Sequence, residues 1–330
     1  VNDCVMETSM SQNQSPYFIS TSIPYVNGRP HVGHALEFAL TDAYARWQRQ
    51  QGRDVYFLSG SDENSLKNVQ AAEREGISTQ ALVDKYVQSF EEMIRALTVS
   101  NDDFIRTSVD ERHLAGARKV WQALVAAGDV YSKTYAGLYC VGCEQFYMED
   151  ELVEGRCPEH GTVPELVQEE NYFFRLSRFQ QRLLDWYAAH PRAILPEFRA
   201  NEALGLIRSG LRDFSASRTS LKWGIPLPWD PKHVAYVWFD ALANYITAVG
   251  YGTDDERFRR WWPVDRHLIG KDIIRHHCVY WPAMLMSAGL EPPSGYAVGG
   301  YLLSGGEKMS KTTGNVVNPL DLVPEVGVDG

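Results

Sequence analysis

The 330-residue sequence has few cysteines, no long apolar run and no excess of positive charge. Its five cysteines are too few and too unevenly spaced for a disulfide framework, and three of them cluster with a histidine, which indicates a reducing, cytoplasmic setting. No apolar stretch approaches membrane-spanning length, so we expect no membrane partner. Residues 1–16 are polar and lack the apolar centre of a signal peptide, and we expect them to form a disordered tail.

The net charge of −10 at pH 7 argues against a protein that binds nucleic acid through a generally basic surface. It leaves room for a local RNA contact, although the sequence has no dense stripe of lysine and arginine. The contents of 44% hydrophobic and 22% charged residues are typical of a soluble globular protein with one large or two smaller domains. The class of function must therefore come from motifs.

Two polar motifs lie near opposite ends of the sequence. His31-Val-Gly-His34 stands at the start of a predicted helix, where imidazoles and backbone N–H groups suit an anion. Lys308-Met-Ser-Lys311 lies between glycines on a polar loop, whose cations can clamp a polyphosphate as charge develops on it. An HxGH is usually incidental and a lysine-rich loop is usually a solvated turn, but the two together indicate a site that handles phosphates.

The start of the sequence predicts a nucleotide-binding sheet. Tyr17–Thr21 and Val55–Leu58 are predicted to be buried strands, and a helix begins near Gly33. The helix is indicated by an apolar stripe at helical spacing, made of Leu36, Leu40, Ala43 and Trp47. This order favours an α/β fold with a parallel sheet, whose ligands lie at the carboxyl ends of the strands. Both motif histidines and Asp62 are expected there, although Asp62 alone could instead cap a helix.

Three cysteines and one histidine are spaced as two short ligand pairs. Cys140-Val-Gly-Cys143 is followed, after thirteen residues, by Cys157-Pro-Glu-His160. Two such knuckles can close a tetrahedral Cys3His zinc site. The alternative, three buried cysteines and a surface histidine, does not explain the paired spacing. Four protein ligands leave no open position, so we predict a structural zinc ion.

The two phosphate motifs resemble the HIGH and KMSKS signatures of class I aminoacyl-tRNA synthetases, and from about residue 17 onward the sequence is similar to the methionyl-tRNA synthetases. The cysteine pairs resemble the zinc knuckle that this family carries in a connective domain. The resemblance implies an α/β fold with a Rossmann-type parallel nucleotide-binding sheet and an inserted zinc-knuckle connective domain.

The implied organisation has five parts in chain order. A disordered tail is followed by the first half of the catalytic domain, the zinc-binding connective domain, the second half of the catalytic domain with the KMSK loop, and a truncated end without the anticodon-binding domain. Their expected bounds are 1–16, 17–127, 128–175, 176–325 and 326–330.

The resemblance also implies which residues form the site. The catalytic residues, in contact with the phosphates of ATP, are His31, His34, Lys308 and Lys311. The ATP-binding positions are His31, Gly33, His34, Gly270, Asp272, Lys308, Ser310 and Lys311. Mg²⁺ is expected to accompany ATP. The methionine-binding positions are Ile23, Tyr25, Asp62, Trp238, Ala241, Tyr245, Ile273 and His277.

In that family Asp62 would hold the α-ammonium group of methionine, a charge pairing that suits a carboxylate at the end of a strand. Aromatic walls would surround the methionine side chain, since sulfur makes favourable contacts with rings. The metal ligands implied are Cys140, Cys143, Cys157 and His160, with Zn²⁺ as the ion.

The implied function is that of a methionine–tRNA ligase. The carboxylate of L-methionine attacks the α-phosphorus of ATP, pyrophosphate leaves, and methionyl-adenylate then passes its methionyl group to methionine tRNA. Charging of tRNA is expected to be weak, because the family's anticodon-binding region lies beyond the sequence. Two alternatives stay open: a short paralogue that forms an aminoacyl-adenylate for a non-tRNA acceptor, and a non-catalytic, zinc-stabilised binding module.

Three positions near the expected amino-acid pocket depart from the family's pattern. Asn64 and Ser65 stand where a histidine and a glycine are common, and His276 precedes His277 where an aromatic residue or a proline is more usual. We expect these changes to tune the preference for substrates or inhibitors.

Overall fold

The computed structural model describes residues 15–304, 307–308 and 317–328. The expected tail lies outside this range except for its last two residues. Ser310 and Lys311 also lie outside it, and of Lys308 only the backbone is described.

The part before residue 127 alternates strands and helices. Its strands are β1 (Tyr17–Ser20), β2 (Val55–Ser61) and β3 (Asp103–Arg106). Its helices are α1 (Val32–Gln50), α2 (Leu66–Glu75), α3 (Thr79–Ala96) and α4 (Glu111–Ala126).

The middle of the chain contains mostly short strands. These are β4 (Val130–Cys140), β5 (Gln145–Tyr147), β6 (Glu165–Phe174), β7 (Ile194–Leu195), β8 (Phe214–Ser215), β9 (Ser217–Arg218), β10 (Pro226–Leu227) and β11 (Asp230–Ala235). The helices between them are α5 (Gln180–Ala189) and α6 (Glu197–Arg208), with 3₁₀ turns at Glu149–Glu151 and Leu176–Phe179.

The last part returns to alternating helices and strands. The helices are α7 (Val237–Thr247), α8 (Asp255–Trp261), α9 (Trp281–Ser287) and α10 (Pro319–Val326). The strands are β12 (Arg266–Gly270), β13 (Tyr296–Gly299), β14 (Leu303–Ser304) and β15 (Glu307–Lys308). A 3₁₀ turn at Lys271–Ile273 and a π-helical turn at His276–Tyr280 connect β12 to α9.

A six-stranded parallel sheet forms the centre of the molecule, in the order β3-β2-β1-β12-β13-β7. β1 lies inside it, where Ile19 pairs with Arg266 and Ser20 with His267. All residues of β1 and β2 are buried, as expected for parallel strands that are covered on both faces. The predicted α/β fold with a Rossmann-type parallel sheet is confirmed.

Helix α1 confirms the predicted helix but turns a different face to the sheet. Leu40 and Trp47 of the predicted stripe are 47% and 53% exposed. The buried face consists of Ala35, Phe38, Thr41, Asp42, Ala45 and Gln48. Ala45 packs with Ile19 and Phe57 of the sheet, because a small side chain lets the helix approach closely. Leu36, Leu40 and Trp47 of the stripe instead border the cavity described below.

Helix α7 is buried on all sides, and its sequence is accordingly apolar nearly all round. It belongs to the main core together with α4 and α9. Trp238, Ala241 and Tyr245 of α7 therefore lie in the interior, and the ring centroid of Tyr245 lies 4.1 Å from that of His267 on β12. Within the described ranges, no helix has both the length and the apolar character needed to cross a membrane.

A second sheet, antiparallel and four-stranded, has the order β5-β4-β6-β8. Its long strands β4 and β6 pair along Val130–Tyr139 and Glu165–Phe174. Cys140 ends β4, and a short turn through Cys143 leads into β5. The second ligand pair lies in the connection from β5 to β6, so both pairs meet at one end of this sheet.

Candidate active site

A cavity of about 1150 Å³ opens beyond the carboxyl ends of β1, β2 and β12. The predicted site residues that line it are Ile23, Tyr25, His31, Gly33, His34, Asp62, Trp238, Ala241, Tyr245, Gly270, Asp272, Ile273 and His277. The fold thus brings all the predicted methionine positions to one place, together with the predicted ATP positions as far as Asp272. The side chain of Lys308 and all of Ser310 and Lys311 lie outside the described residues.

The two motif histidines cap the first turn of α1. Nδ1 of His31 accepts from the N–H of Gly33 at 3.1 Å, and Nδ1 of His34 accepts from the N–H of His31 at 3.1 Å. Their rings stack with centroids 3.7 Å apart. Because each Nδ1 is an acceptor, the neutral rings carry their proton on Nε2. Both histidines line the cavity at the positive end of the helix dipole, an arrangement that suits a phosphate group.

The described backbone on both sides of the lysine motif lies close to this turn or to the cavity. Tyr301 and Leu302 line the cavity, and β14 pairs with β15, where Leu303 faces Lys308. After the motif, the carbonyl of Val317 accepts from the N–H of Val32 at 3.0 Å. The described residues that flank the lysine motif therefore lie in the same region of the molecule as the histidine motif.

Gly270 and Asp272 adjoin each other at the end of β12. A Cβ atom at Gly270 would lie only 2.7 Å from Oδ1 of Asp272. Any residue other than glycine at this position would therefore displace the carboxylate. Asp272 also lines the cavity. A carboxylate that faces the cavity at the end of a strand can accept hydrogen bonds from ribose hydroxyls.

Asp62 is a buried carboxylate with an unsatisfied oxygen. Its exposed fraction is 2%, and its Oδ1, like the hydroxyl of Tyr25, has no hydrogen-bond partner among the described residues. Burial, and then the carboxylates of Asp240 and Glu144, raise the pKa of Asp62 well above its usual range. A buried acceptor without a donor is unfavourable unless a ligand supplies one, and an ammonium group would do so.

Trp238, Tyr245 and His277 form an aromatic wall on one side of the cavity. His277 is its most polar member, but the wall carries no charge. Nδ1–H of His277 donates to the carbonyl of Ile273 at 3.1 Å, and its Nε2 accepts from the hydroxyl of Tyr245 at 2.8 Å. Burial lowers the pKa of His277 to about 4, so its ring is neutral at pH 7. Tyr245 and Trp238 complete a wall that suits an apolar, polarizable side chain.

The three departures from the family's pattern occupy two different environments. His276 lines the cavity and stacks on Trp238 with ring centroids 3.7 Å apart. Asn64 is buried behind the cavity, where its Nδ2 donates to Asp240 at 2.7 Å, and Ser65 caps α2. Only His276 is placed to touch a ligand directly, and its effect on preference stays a prediction.

Glu37 was not predicted from the sequence. It lines the cavity one turn after His34, and its Oε1 accepts from both the N–H and the hydroxyl of Ser22 at 2.6 Å. Burial raises the pKa of Glu37 to about 7. Only its spacing from His34 on the same helix face could have indicated that it belongs to the site.

The four predicted metal ligands form a tight cluster. The ligand atoms of Cys140, Cys143, Cys157 and His160 all lie within 4.8 Å of one another. Sγ of Cys143 lies 3.4 Å from Sγ of Cys157, and Sγ of Cys157 lies 3.9 Å from Nδ1 of His160. In an ideal tetrahedral zinc site with Zn–S bonds of about 2.3 Å, two sulfurs are about 3.8 Å apart. The residues therefore fit a tetrahedral metal ion.

Two further details support this fit. A Cβ atom at position 142 would lie 2.7 Å from the ring of His160, so Gly142 lets the imidazole approach the cysteines. The hydroxyl of Tyr147 donates to Sγ of Cys143 at 3.1 Å, a contact typical of the shell around metal ligands. The cluster also borders the cavity through Cys143 and His160, which the sequence did not indicate.

The sequence profile of the family described as tRNA synthetases class I (M) matches residues 17–162 and 160–330. The chain belongs to this family. Among curated proteins, it is 51% identical over 322 residues to the methionine–tRNA ligase of Brucella suis biovar 1 and 50% identical over 323 residues to that of Rhizobium meliloti. These matches cover 96% of the chain and 62% of each class I relative.

Solved structures of class I (M) synthetases give the same result. Methionyl-tRNA synthetase of Mycobacterium tuberculosis in complex with methionyl-adenylate has a TM-score of 0.92 and 48% identity, over 96% of this chain and 63% of that one. The apo form of the Mycobacterium tuberculosis enzyme has a TM-score of 0.81 and 44% identity, over 96% and 60%. The chain thus spans about three fifths of its relatives.

Proposed function

We propose that the chain is the catalytic part of a methionine–tRNA ligase, which activates L-methionine with ATP and transfers it to methionine tRNA. The observation that carries the proposal is that one cavity joins two capping histidines to the buried carboxylate of Asp62, whose Oδ1 has no hydrogen-bond partner among the described residues. The 51% identity to a methionine–tRNA ligase and the TM-score of 0.92 against a methionyl-tRNA synthetase in complex with methionyl-adenylate also support it.

In the proposed first step, the carboxylate of methionine attacks the α-phosphorus of ATP and the bond to pyrophosphate breaks. The Nε2–H groups of His31 and His34 donate to phosphate oxygens as negative charge develops on them. Lys308 and Lys311 hold the departing pyrophosphate, with Ser310 beside them. Gly270 and Asp272 bind the ribose. Mg²⁺ bound to ATP supplies further charge neutralisation.

Methionine is held by its two ends. Its α-ammonium group donates to Asp62 and to the hydroxyl of Tyr25, and both buried acceptors thereby gain a partner. Its side chain lies among Trp238, Tyr245 and the neutral ring of His277, with Ile23, Ala241 and Ile273 around them. A wall without charge favours a thioether over a charged or strongly hydrated side chain.

The proposed first step is tested by ATP–pyrophosphate exchange. We expect exchange that depends on L-methionine and needs no tRNA, because the cavity already contains the groups for adenylate formation. The other amino acids, assayed one at a time, serve as controls. The absence of exchange with every amino acid, L-methionine included, would overturn the proposed activity, whereas exchange with a different amino acid in place of methionine would overturn only the choice of methionine.

Aminoacylation of methionine tRNA on the same preparation then separates the alternatives. A non-catalytic module would show neither reaction, and the cavity chemistry disfavours it. A paralogue with another acceptor would exchange pyrophosphate and leave tRNA uncharged. We also infer a cytoplasmic location, because free cysteines are typical of a reducing compartment.

We also propose that Cys140, Cys143, Cys157 and His160 hold one structural zinc ion. Metal analysis of protein purified without chelator should find one zinc per chain. Cys157→Ser should lower the zinc content and loosen the small sheet formed by β4, β5, β6 and β8, because metal binding is coupled to folding. The central parallel sheet should persist. Native protein without zinc would contradict the assignment, and Cys278→Ser, a buried cysteine away from the cluster, is the control.

A further inference from the structure

Glu144, which directly follows the predicted metal ligand Cys143, has an unusual environment for a glutamate. Glu144 is 1% exposed and lies on the short turn between β4 and β5. Its φ of 52° is in the left-handed region that normally favours glycine. A charged residue in this conformation, buried next to a metal ligand, needs specific partners to hold it.

The side chain of Glu144 reaches across to the helix that follows Asp62. Its Oε1 accepts from the N–H of Lys67 at 2.9 Å, in the first turn of α2. Ser65 accepts from the N–H of Asn68 in the same turn. Glu144 therefore supplies half of the N-terminal cap of α2 from a distant part of the chain, and a carboxylate suits this end of a helix.

The main chain of Glu144 is bonded to a second element of the cavity. Its carbonyl accepts a hydrogen bond from the hydroxyl of Tyr236, the residue immediately before α7. The guanidinium of Arg218 packs against the ring of Tyr236 at 4.6 Å and against Tyr139 and Phe146 of the knuckle sheet at 5.0 and 4.5 Å. The contact between the knuckle and the core is thus buried and specific.

The two hydrogen bonds of Glu144 end beside the residues that would bind methionine, one on α2 and the other on the residue before α7. Ser65, the N-cap of α2, lies three residues after Asp62, and the side chain of Lys67 lies over the ring of Tyr25 at 4.4 Å. Tyr236 directly precedes α7, which carries Trp238 and Tyr245. A displacement of Glu144 would therefore move the partner of the ammonium group and the aromatic wall relative to each other.

We propose that Glu144 is a positioning residue through which the metal knuckle sets the shape of the methionine pocket. The inference rests on the proposed function of the cavity. Because Cys143 would hold the proposed ion and Glu144 is its neighbour, a bound ion would fix the turn that presents the carboxylate to α2. Loss of the metal should weaken methionine binding far more than ATP binding, since the hydrogen bonds that the side chain and carbonyl of Glu144 make in the described part of the chain run to α2 and to Tyr236 and not to the histidine motif or β12.

The first experiment compares Glu144→Ala with Glu144→Gln in pyrophosphate exchange. We expect Glu144→Ala to raise the KM for methionine roughly 5- to 30-fold, in line with the loss of a helix cap. The KM for ATP should change by less than about twofold, because the two hydrogen bonds of Glu144 run to α2 and Tyr236 and not to the proposed ATP-binding residues. Glu144→Gln should restore most of the affinity, since its amide oxygen can still accept from Lys67. Asp150→Asn, on an exposed knuckle carboxylate, is the matched control.

Equal KM increases for both substrates, or no rescue by glutamine, would overturn the proposal. Tyr236→Phe provides a second variant should Glu144→Ala fail to fold, because it removes only the bond to the carbonyl of Glu144. This variant should also raise the KM for methionine selectively. An unchanged KM in a folded Tyr236→Phe protein of normal zinc content would count against the link.

The second experiment compares wild type and Glu144→Ala, each with its metal and after chelation. Calorimetry measures the Kd of methionine in each state. Chelation should raise the Kd in wild type about as much as Glu144→Ala does, and it should add little in the variant. Additive effects would show that metal and Glu144 act independently, which overturns the link. The proposed function fails separately, if wild-type protein with its zinc binds no methionine at all.

Discussion

His31→Ser should lower kcat for methionine-dependent pyrophosphate exchange by roughly 10²- to 10³-fold, the usual loss for one donor to a developing charge. The imidazole of His31 has two proposed roles, as the N-cap of α1 and as a donor to the phosphates, and serine can take over only the first. The serine hydroxyl is a good N-cap and can replace Nδ1 as the acceptor for the N–H of Gly33. It is too short to replace Nε2–H at the phosphates. The measurement is steady-state exchange with methionine and ATP varied independently.

The Kd of methionine and the free energy of unfolding should barely change in His31→Ser, because its cap is retained and Asp62 is untouched. Ser78→Ala is the matched control: it removes the N-cap of α3, where the hydroxyl accepts from the N–H of Ala81. That variant should lose about 1 kcal/mol of stability and keep its kcat. Full activity of a folded His31→Ser protein would contradict the proposed role of the histidine.

Asp62→Asn should raise the Kd of methionine roughly 30- to 150-fold, equivalent to about 2–3 kcal/mol for a buried charge pair that has lost one partner. The same change should make the protein more stable. Burial and neighbouring carboxylates raise the pKa of Asp62, so its ionised form is disfavoured in the folded state. Asparagine removes this charge, and we expect a gain of about 0.5–2 kcal/mol at pH 7.

The pH dependence follows from the direction of this shift. The gain in stability should shrink as the pH falls through the raised pKa of Asp62, and it should vanish below the ordinary carboxyl pKa of about 3.9. In wild type, kcat/KM for methionine should fall over the same range, since a protonated Asp62 cannot pair with the ammonium group. Asp265→Asn is the control, because burial also raises the pKa of Asp265 but this carboxylate bonds to Phe18 away from the cavity. Tight methionine binding by Asp62→Asn would refute the assignment.

The sequence predicted the elements of the site better than their relative placement. Periodicity located α1, but it did not indicate which face is buried, because alanine and threonine can face a sheet more closely than leucine and tryptophan can. The exposed Leu40 and Trp47 follow from that packing. The positions of Trp238 and Tyr245 at the cavity came only from the family resemblance, since an apolar helix like α7 is usually plain core.

Neither Glu37 nor Glu144 belongs to a motif that predicts its place in the structure. Glu37 has no motif of its own, and Glu144 acts on α2 across 77 residues of sequence. The same limit applies to the approach of the knuckle to the cavity, which depends on how two sheets pack. Ligand spacing, by contrast, is a local property, and the cysteine and histidine pairs cluster as their spacing indicated.

The position of β1 inside the parallel sheet has a consequence for synthesis on the ribosome. β1 can pair early with β2, but its other edge waits for β12, and Phe18 donates to Asp265 at a separation of 247 residues. At roughly 5–20 residues per second, translation takes about 12–50 s to supply that partner. An unpaired edge next to Phe18 and Ile19 invites association with other nascent chains during this time. We therefore expect the emerging polypeptide to depend on chaperones that shield β1 until β12 has been made.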